Sequence, residues 1–120
     1  MKKSTKILGR MGEDLSKQYL KKLGYRIIDQ NLLLRIGEVD ILAEDQGYLV
    51  IVEVKTVSGV SFGPAKGYVN FRKREKLRHL AGYLMQQHPA KKIRIDVVGV
   101  EIINDQVKIE HIKNAVEGLE

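Results

Sequence analysis

The chain has 120 residues, 43% hydrophobic and 30% charged, and its 21 Lys/Arg against 15 Asp/Glu leave a formal charge of +6. That size suits one domain spanning 1–120 with its own core, and the balance excludes a disordered chain. No apolar run reaches the roughly 18 residues that cross a bilayer, residues 1–6 are basic but lack the apolar stretch of a secretory signal, and the absence of Cys excludes disulfides and thiolate metal sites, so a cytoplasmic protein is expected.

Apolar residues at Leu8, Met11, Leu15, Tyr19 and Leu23 recur at spacings of three and four, which predicts an amphipathic helix over 5–23 ended by Gly24. Residues 25–29 and 31–35 then read as a short strand and a second extended segment. Residues 38–44 and 48–56 are rich in Val, Ile and Leu and are joined through Asp45-Gln46-Gly47, a hairpin signal. Residues 57–67 hold three Gly and a Pro and read as a mobile loop. Asn70 is the expected N-cap of a second helix reaching Gln87, buried through Leu77, Leu80, Ala81 and Leu84 and stopped at His88-Pro89. Residues 93–102 and 106–112 form a last hairpin about Asn104-Asp105, and 118–120 read as a frayed end. The order, α-β-β-β-α-β-β, predicts an α/β sandwich around a mixed sheet. No glycine-rich phosphate loop is present.

Charge is unevenly spread. Residues 1–36 carry nine Lys/Arg against three acids and residues 57–92 carry eight against one, whereas 37–56 hold five acids and only Lys55. Two basic segments flanking an acidic strand pair suit a polyanion lying across a carboxylate pocket; two solvated basic helix faces are the plainer alternative. The basic run Arg72, Lys73, Arg74 and Lys76 begins the second helix, where cations oppose the macrodipole by about 0.3–1 kcal/mol each. External phosphates explain that local conflict better than helix stability does.

Within 37–56, Asp40, Glu53 and Lys55 are set into apolar strands, where unpaired charges cost several kcal/mol. Alternation puts Glu53 and Lys55 on one face. A two-residue turn at Gln46-Gly47 sets Asp40 opposite Glu53, and a four-residue loop keeps it on that face. A three-residue loop sends it to the other side unless a bulge restores parity. Gathered together, Asp40 and Glu53 are hard oxygen ligands for Mg²⁺ or Mn²⁺, the Val54 carbonyl adds another oxygen, and Lys55 orients water or neutralises charge growing on a phosphate. The rival reading is a buried ion-pair network in which Lys55 neutralises both acids without metal. Glu38 reads as a solvated edge charge, Arg94 and Asp96 as structural partners, and His79, His88 and His111 as surface residues.

Gly37-Glu38-Val39-Asp40, Val52-Glu53-Val54-Lys55 and Arg94-Ile95-Asp96-Val97-Val98 together resemble the YraN-like family of bacterial proteins. That family is similar to the PD-(D/E)XK nucleases, and among them the archaeal Holliday-junction resolvases. The resemblance implies a restriction endonuclease-like core with Asp40, Glu53 and Lys55 as signature residues, Val39 standing where the signature has Pro. It implies that Glu13, on the first helix, is a further acid facing the metal and that Lys73 touches the scissile phosphate. A metal-dependent nuclease acting on DNA, possessing structural rather than sequence preference, is therefore expected. The alternative is a nuclease-fold module that binds nucleic acid with weak or no turnover. A homodimer would supply the two active sites that cutting a duplex requires.

Overall fold

The computed structural model describes residues 5–59 and 69–119. The first helix, α1, runs Thr5–Lys22, and its last turn closes as a Schellman cap. The Gly24 N–H reaches the Lys21 carbonyl and the Tyr25 N–H reaches the Leu20 carbonyl, both at 3.0 Å, with Gly24 at φ +98°. Leu20 and Tyr25, at the two ends of that cap, are both buried in the same apolar cluster.

Residues 26–34 form one strand, β1 (Arg26–Leu34), not two extended segments. It pairs with β2 (Gly37–Asp45) across a register shift between Ile27 and Asp29, and Asn31 adopts φ +56° within it. Pairing along β2 holds the strand through polar residues that, read alone, look like a break. The strand β3 (Tyr48–Ser58) carries on past the expected start of the loop, through Val57 and Ser58. The rest of that loop prediction, residues 60–67, lies outside the described residues.

The second helix, α2 (Phe71–Gln87), is capped by the Asn70 side chain, which accepts the Lys73 N–H at 2.9 Å. It buries Leu77, Leu80, Ala81 and Leu84, the expected face. β4 (Lys92–Ile103) and β5 (Gln106–Ile112) close the chain as a hairpin turning on Asn104 and Asp105, both at positive φ. Beyond it, Leu119 packs against the core and is not frayed, because the chain returns to the apolar face of α2.

The five strands lie in the order β1-β2-β3-β4-β5, with β3 and β4 parallel and the other neighbours antiparallel. The protein is an α/β fold with a mixed sheet and a helix on each face. Leu49 and Ile51 of β3 pack with α2, while Val50 and Val52 pack with Leu20 of α1, so the central strand is apolar on both sides.

The alternation of faces breaks at one point of the sheet. Val39 packs in the α2-side core and Ile41 in the α1-side core, although residues two apart share a face in a regular strand. Their partners on β1 behave alike: Leu32 opposite Val39 joins the α2 side, while Gln30 lies opposite Ile41. The change of parity falls at Asn31 and Asp40.

Candidate metal centre

The β2–β3 hairpin turns on two residues, Gln46 at φ +50° and Gly47 at φ +85°, with Asp45 paired to Tyr48. Both central residues at positive φ is the twist-matched turn that a tight hairpin favours. The register runs to Ile41 opposite Val52, and its continuation sets Asp40 against Glu53. Regular pairing stops there, and the Asp40 carboxylate takes the Val54 N–H at 2.8 Å in place of a backbone acceptor. In extended backbone a residue's C=O leaves on the same edge as its N–H, so the Val54 carbonyl borders the same gap.

Three carboxylates converge on this point. One oxygen each from Glu13, Glu38 and Asp40 lies within 4.8 Å of the others. A small inward movement brings such a trio onto a cation bound at about 2.1 Å. Glu13 arrives from α1 because the helix crosses β3 in direct contact at Gly12, where an added Cβ would lie 2.8 Å from the Cβ of Thr56. Glu38 arrives from β2, two residues before Asp40. It is exposed, as expected of an edge charge, and the structure adds that its carboxylate stands with the other two; the signal that points to this is the i, i+2 spacing of two acids on one strand.

Burial, and after it the crowding of like charge, shows in the protonation of the group. Burial pushes the Asp40 carboxyl up to about 8 from an ordinary 3.8; a hydrogen bond with Glu53 and the charges of Glu53 and Glu13 add to this, against the opposing Val54 N–H. Glu13 is raised by burial and by the charges of Glu38 and Asp14, while hydrogen bonds with Asn31 and Gln30 work the other way. A cluster that retains a proton at neutral pH is one that a divalent cation relieves. The hard, anionic oxygens fit Mg²⁺ or Mn²⁺ better than softer ions.

On its other side Asp40 meets Glu53, whose carboxylate lies 3.6 Å from the Lys73 ammonium of α2. Lys55 is exposed, and among the described residues it makes no ion pair. The metal-free network in which Lys55 neutralises both acids is therefore absent from this geometry, and the cation beside Glu53 comes from α2. Arg72, Arg74 and Lys76 are exposed on that helix, with the Lys76 stem lying against Gly37 at the start of β2. A groove of about 430 Å³ opens beside the acids, lined by Lys6 and Arg10 of α1 as well as Glu13, Asn31 and Glu38. Neither cation was expected, though their spacing from Glu13, seven and three residues, puts all three on one helix face.

A second polar group lies further along the sheet. Asp96 of β4 is fully buried; its carboxylate accepts from Arg94 at 2.9 Å, the Tyr25 hydroxyl at 2.7 Å and the Asn114 N–H at 3.1 Å, and lies 2.8 Å from His111 Nε2. Arg94 also bonds Asp45 at 2.9 Å. Burial alone would raise the Asp96 carboxyl, but the bonds to His111, Arg94, Tyr25 and Asn114 outweigh it and hold it at about 2. This tie joins both ends of the sheet and fits the structural role expected of Arg94 and Asp96. His111 is not a surface residue: its side chain is 4% exposed, enclosed by Tyr19 and Tyr25. Its alternating position on an edge strand gave little warning, because the covering rings come from α1 and its cap.

Fold and site together define an α/β protein whose split hairpin gathers carboxylates fit for a divalent cation, with basic side chains on both flanks. The chain belongs to the uncharacterised protein family UPF0102, whose model matches residues 12–100, and this is the YraN-like family the sequence resembles. It is 40% identical over 114 residues to a UPF0102 protein of Alkaliphilus oremlandii, covering 92% of this chain and 97% of that one. A UPF0102 protein of Desulforamulus reducens is 43% identical over 116 residues, covering 92% and 95%. Among solved structures, Pyrococcus furiosus SfsA in complex with Ca²⁺ aligns at a TM-score of 0.41 and 17% identity, over 96% of this chain and 66% of that one. No helix among the described residues is long and apolar enough to cross a membrane.

Proposed function

We propose that this protein is a Mg²⁺- or Mn²⁺-dependent nuclease that hydrolyses phosphodiester bonds in DNA. The observation that carries the reading is the convergence of Glu13, Glu38 and Asp40 within 4.8 Å, at the point where β2 and β3 part. Glu53 extends the acid set and the Val54 carbonyl borders it. A cation bound there supplies Lewis acidity and a more acidic water. The chain's own residues do the rest. Lys6 and Arg10 in the groove, and Lys73 with Arg72, Arg74 and Lys76 across the acids, grip the phosphates on either side of the scissile bond. Glu13, Glu38 and Asp40 would hold the cation, Asp40 giving up its proton to do so, and Lys73 keeps Glu53 in place beside them. Lys55, exposed at the end of the same face, neutralises charge growing on the phosphate.

Calorimetric titration of Mn²⁺ into wild type and Asp40→Ala, with cleavage assays on duplex, branched and single-stranded DNA, tests this reading. Saturable binding that Asp40→Ala abolishes, together with metal-dependent cleavage lost in the same variant, is expected. Equal metal binding by the two proteins would defeat the assignment. One observation favours the second reading, a binding module with weak or no turnover: Lys73, not the signature Lys55, pairs with Glu53. That module would bind DNA in a salt-sensitive manner without metal and cleave nothing under either cation.

A further inference from the structure

The β1–β2 hairpin ends in an unusual tip. Leu34 pairs with Gly37, so the turn is Arg35-Ile36. Leu32 and Leu34 reach back into the α2-side core, and the Lys76 stem braces Gly37 from the helix. Thus held from beneath, the hairpin directs Leu33, 79% exposed, and Ile36, 46% exposed, into solvent. Single exposed aliphatics are ordinary. These two are the exception because of where they stand: Leu33 is the cross-strand partner of Glu38, one of the clustered acids. Partners in an antiparallel pair share a face, with Cβ atoms about 4.5–5.5 Å apart. Leu33 therefore stands beside a carboxylate, Ile36 follows in the turn, and the same end of the hairpin carries the exposed Arg35 and the Lys76 stem against Gly37.

We infer that this tip is a wedge that enters a disrupted base step of duplex DNA, placing the adjoining phosphodiester at the acid cluster. The charge around it selects the occupant. Lys6 and Arg10 in the groove beside the acids, Arg35 in the turn and Lys76 at Gly37 draw a polyanion to this end of the chain, whereas a second copy carrying the same +6 is opposed. Aliphatic side chains braced by cations are suited to unstacking a base step, and unstacking costs least where stacking is already broken. The preferred substrate class is thus a duplex interrupted by a mismatch, nick or branch. The inference rests on the DNA half of the proposed function and is independent of cleavage.

The test uses the full chain without metal, so that hydrolysis does not enter. A duplex carrying 2-aminopurine beside a nick is titrated with wild type and with the double variant Leu33→Ser, Ile36→Ser, alongside the continuous duplex. Wild type is expected to raise 2-aminopurine emission and to prefer the nicked duplex by about tenfold, or 1.4 kcal/mol. The double variant, its core residues untouched, should lose both while keeping its affinity for the continuous duplex and the salt dependence of that affinity. Emission and preference unchanged in the variant would overturn the wedge. So would a loss of affinity for both duplexes alike, or sedimentation showing that the substitutions abolish a dimer. Wild type binding neither duplex at low salt would sink the DNA reading itself, a result distinguishable from the wedge alone failing.

Discussion

Substitution of Gly12 by Ala probes the contact that places Glu13. An alanine Cβ there would sit 1.7 Å from Thr56 Oγ1, 2.8 Å from Thr56 Cβ and 2.9 Å from Thr56 Cγ2. Threonine is stiff at χ1 and its Cβ cannot rotate away, so the helix or the strand must move. Overpacking of this kind costs about 1–3 kcal/mol. Against that, alanine gains about 1 kcal/mol of helix propensity over glycine. The net expectation is a destabilisation of up to about 2 kcal/mol. Gly82, in α2, supplies the control: it is exposed with nothing within 4 Å of an added Cβ, so Gly82→Ala should stabilise by about 1 kcal/mol. Urea unfolding separates the two by their midpoints at equal slope. Thr56→Ala in the Gly12→Ala background removes the Oγ1 and Cγ2 clashes and should recover part of the loss, a coupling that a double-mutant cycle reads directly. The same displacement carries Glu13 away from Glu38 and Asp40, so Mn²⁺ affinity should fall along with stability. Should Gly12→Ala stabilise as much as Gly82→Ala, the close crossing of α1 over β3 would be wrong, and with it the account of how Glu13 reaches the acids.

Three further outcomes are expected. Because the Asp40 carboxyl is raised to about 8 from 3.8, its contribution to stability is complete below about pH 4 and is lost as pH rises through 8. The metal-free thermal midpoint should therefore drop between pH 6 and pH 9 by an amount that Asp40→Asn removes, and Mn²⁺ titrations in buffers of different ionisation enthalpy should show proton release near neutrality. Asp96 behaves oppositely: held at about 2, it stabilises above pH 4 and its contribution fades as pH falls towards 2. Asp96→Ala leaves Arg94 paired with Asp45 but removes the acceptor of the Tyr25 hydroxyl and the Asn114 N–H and the partner of His111, and should cost about 3 kcal/mol in urea unfolding, a loss under 1 kcal/mol arguing against a buried charge network. Gly24→Ala, at φ +98°, should cost about 1–2 kcal/mol by the same measurement, since a Cβ is poorly tolerated in the left-handed cap.

Much of this architecture was legible in residues a few positions apart. The three-and-four spacing of α1, the buried stripe Leu77, Leu80, Ala81 and Leu84, the Asn70 cap and the turns at Gln46-Gly47 and Asn104-Asp105 are all decided by hydrogen bonds and periodicities within a turn or two of chain. Two-, three- and four-residue loops were all open at this hairpin, and the two-residue turn decides between them, because register propagates along the strands as far as Ile41 opposite Val52, one step short of Asp40 and Glu53.

What the tertiary structure decided concerns the places where that local code is interrupted. Asn31 looks like the gap between two extended pieces, yet pairing with β2 holds one strand through it. The parity change at Asp40 brings that carboxylate between the strands, where Glu38 and Glu13 meet it from one side and Glu53 from the other. No periodicity foretells such a change, since it falls where two neighbouring strands, at Asn31 (φ +56°) and Asp40, leave regular pairing together. Lys73 and Lys55 are equally basic in the sequence, and only the seating of α2 over β3 selects Lys73 as the partner of Glu53. His111 is likewise enclosed by rings contributed from the far end of the chain. Short-range chemistry determined which segments form and which way they turn, whereas the gathering of charges depends on how separate segments cross, and that is settled only when the whole sheet is packed.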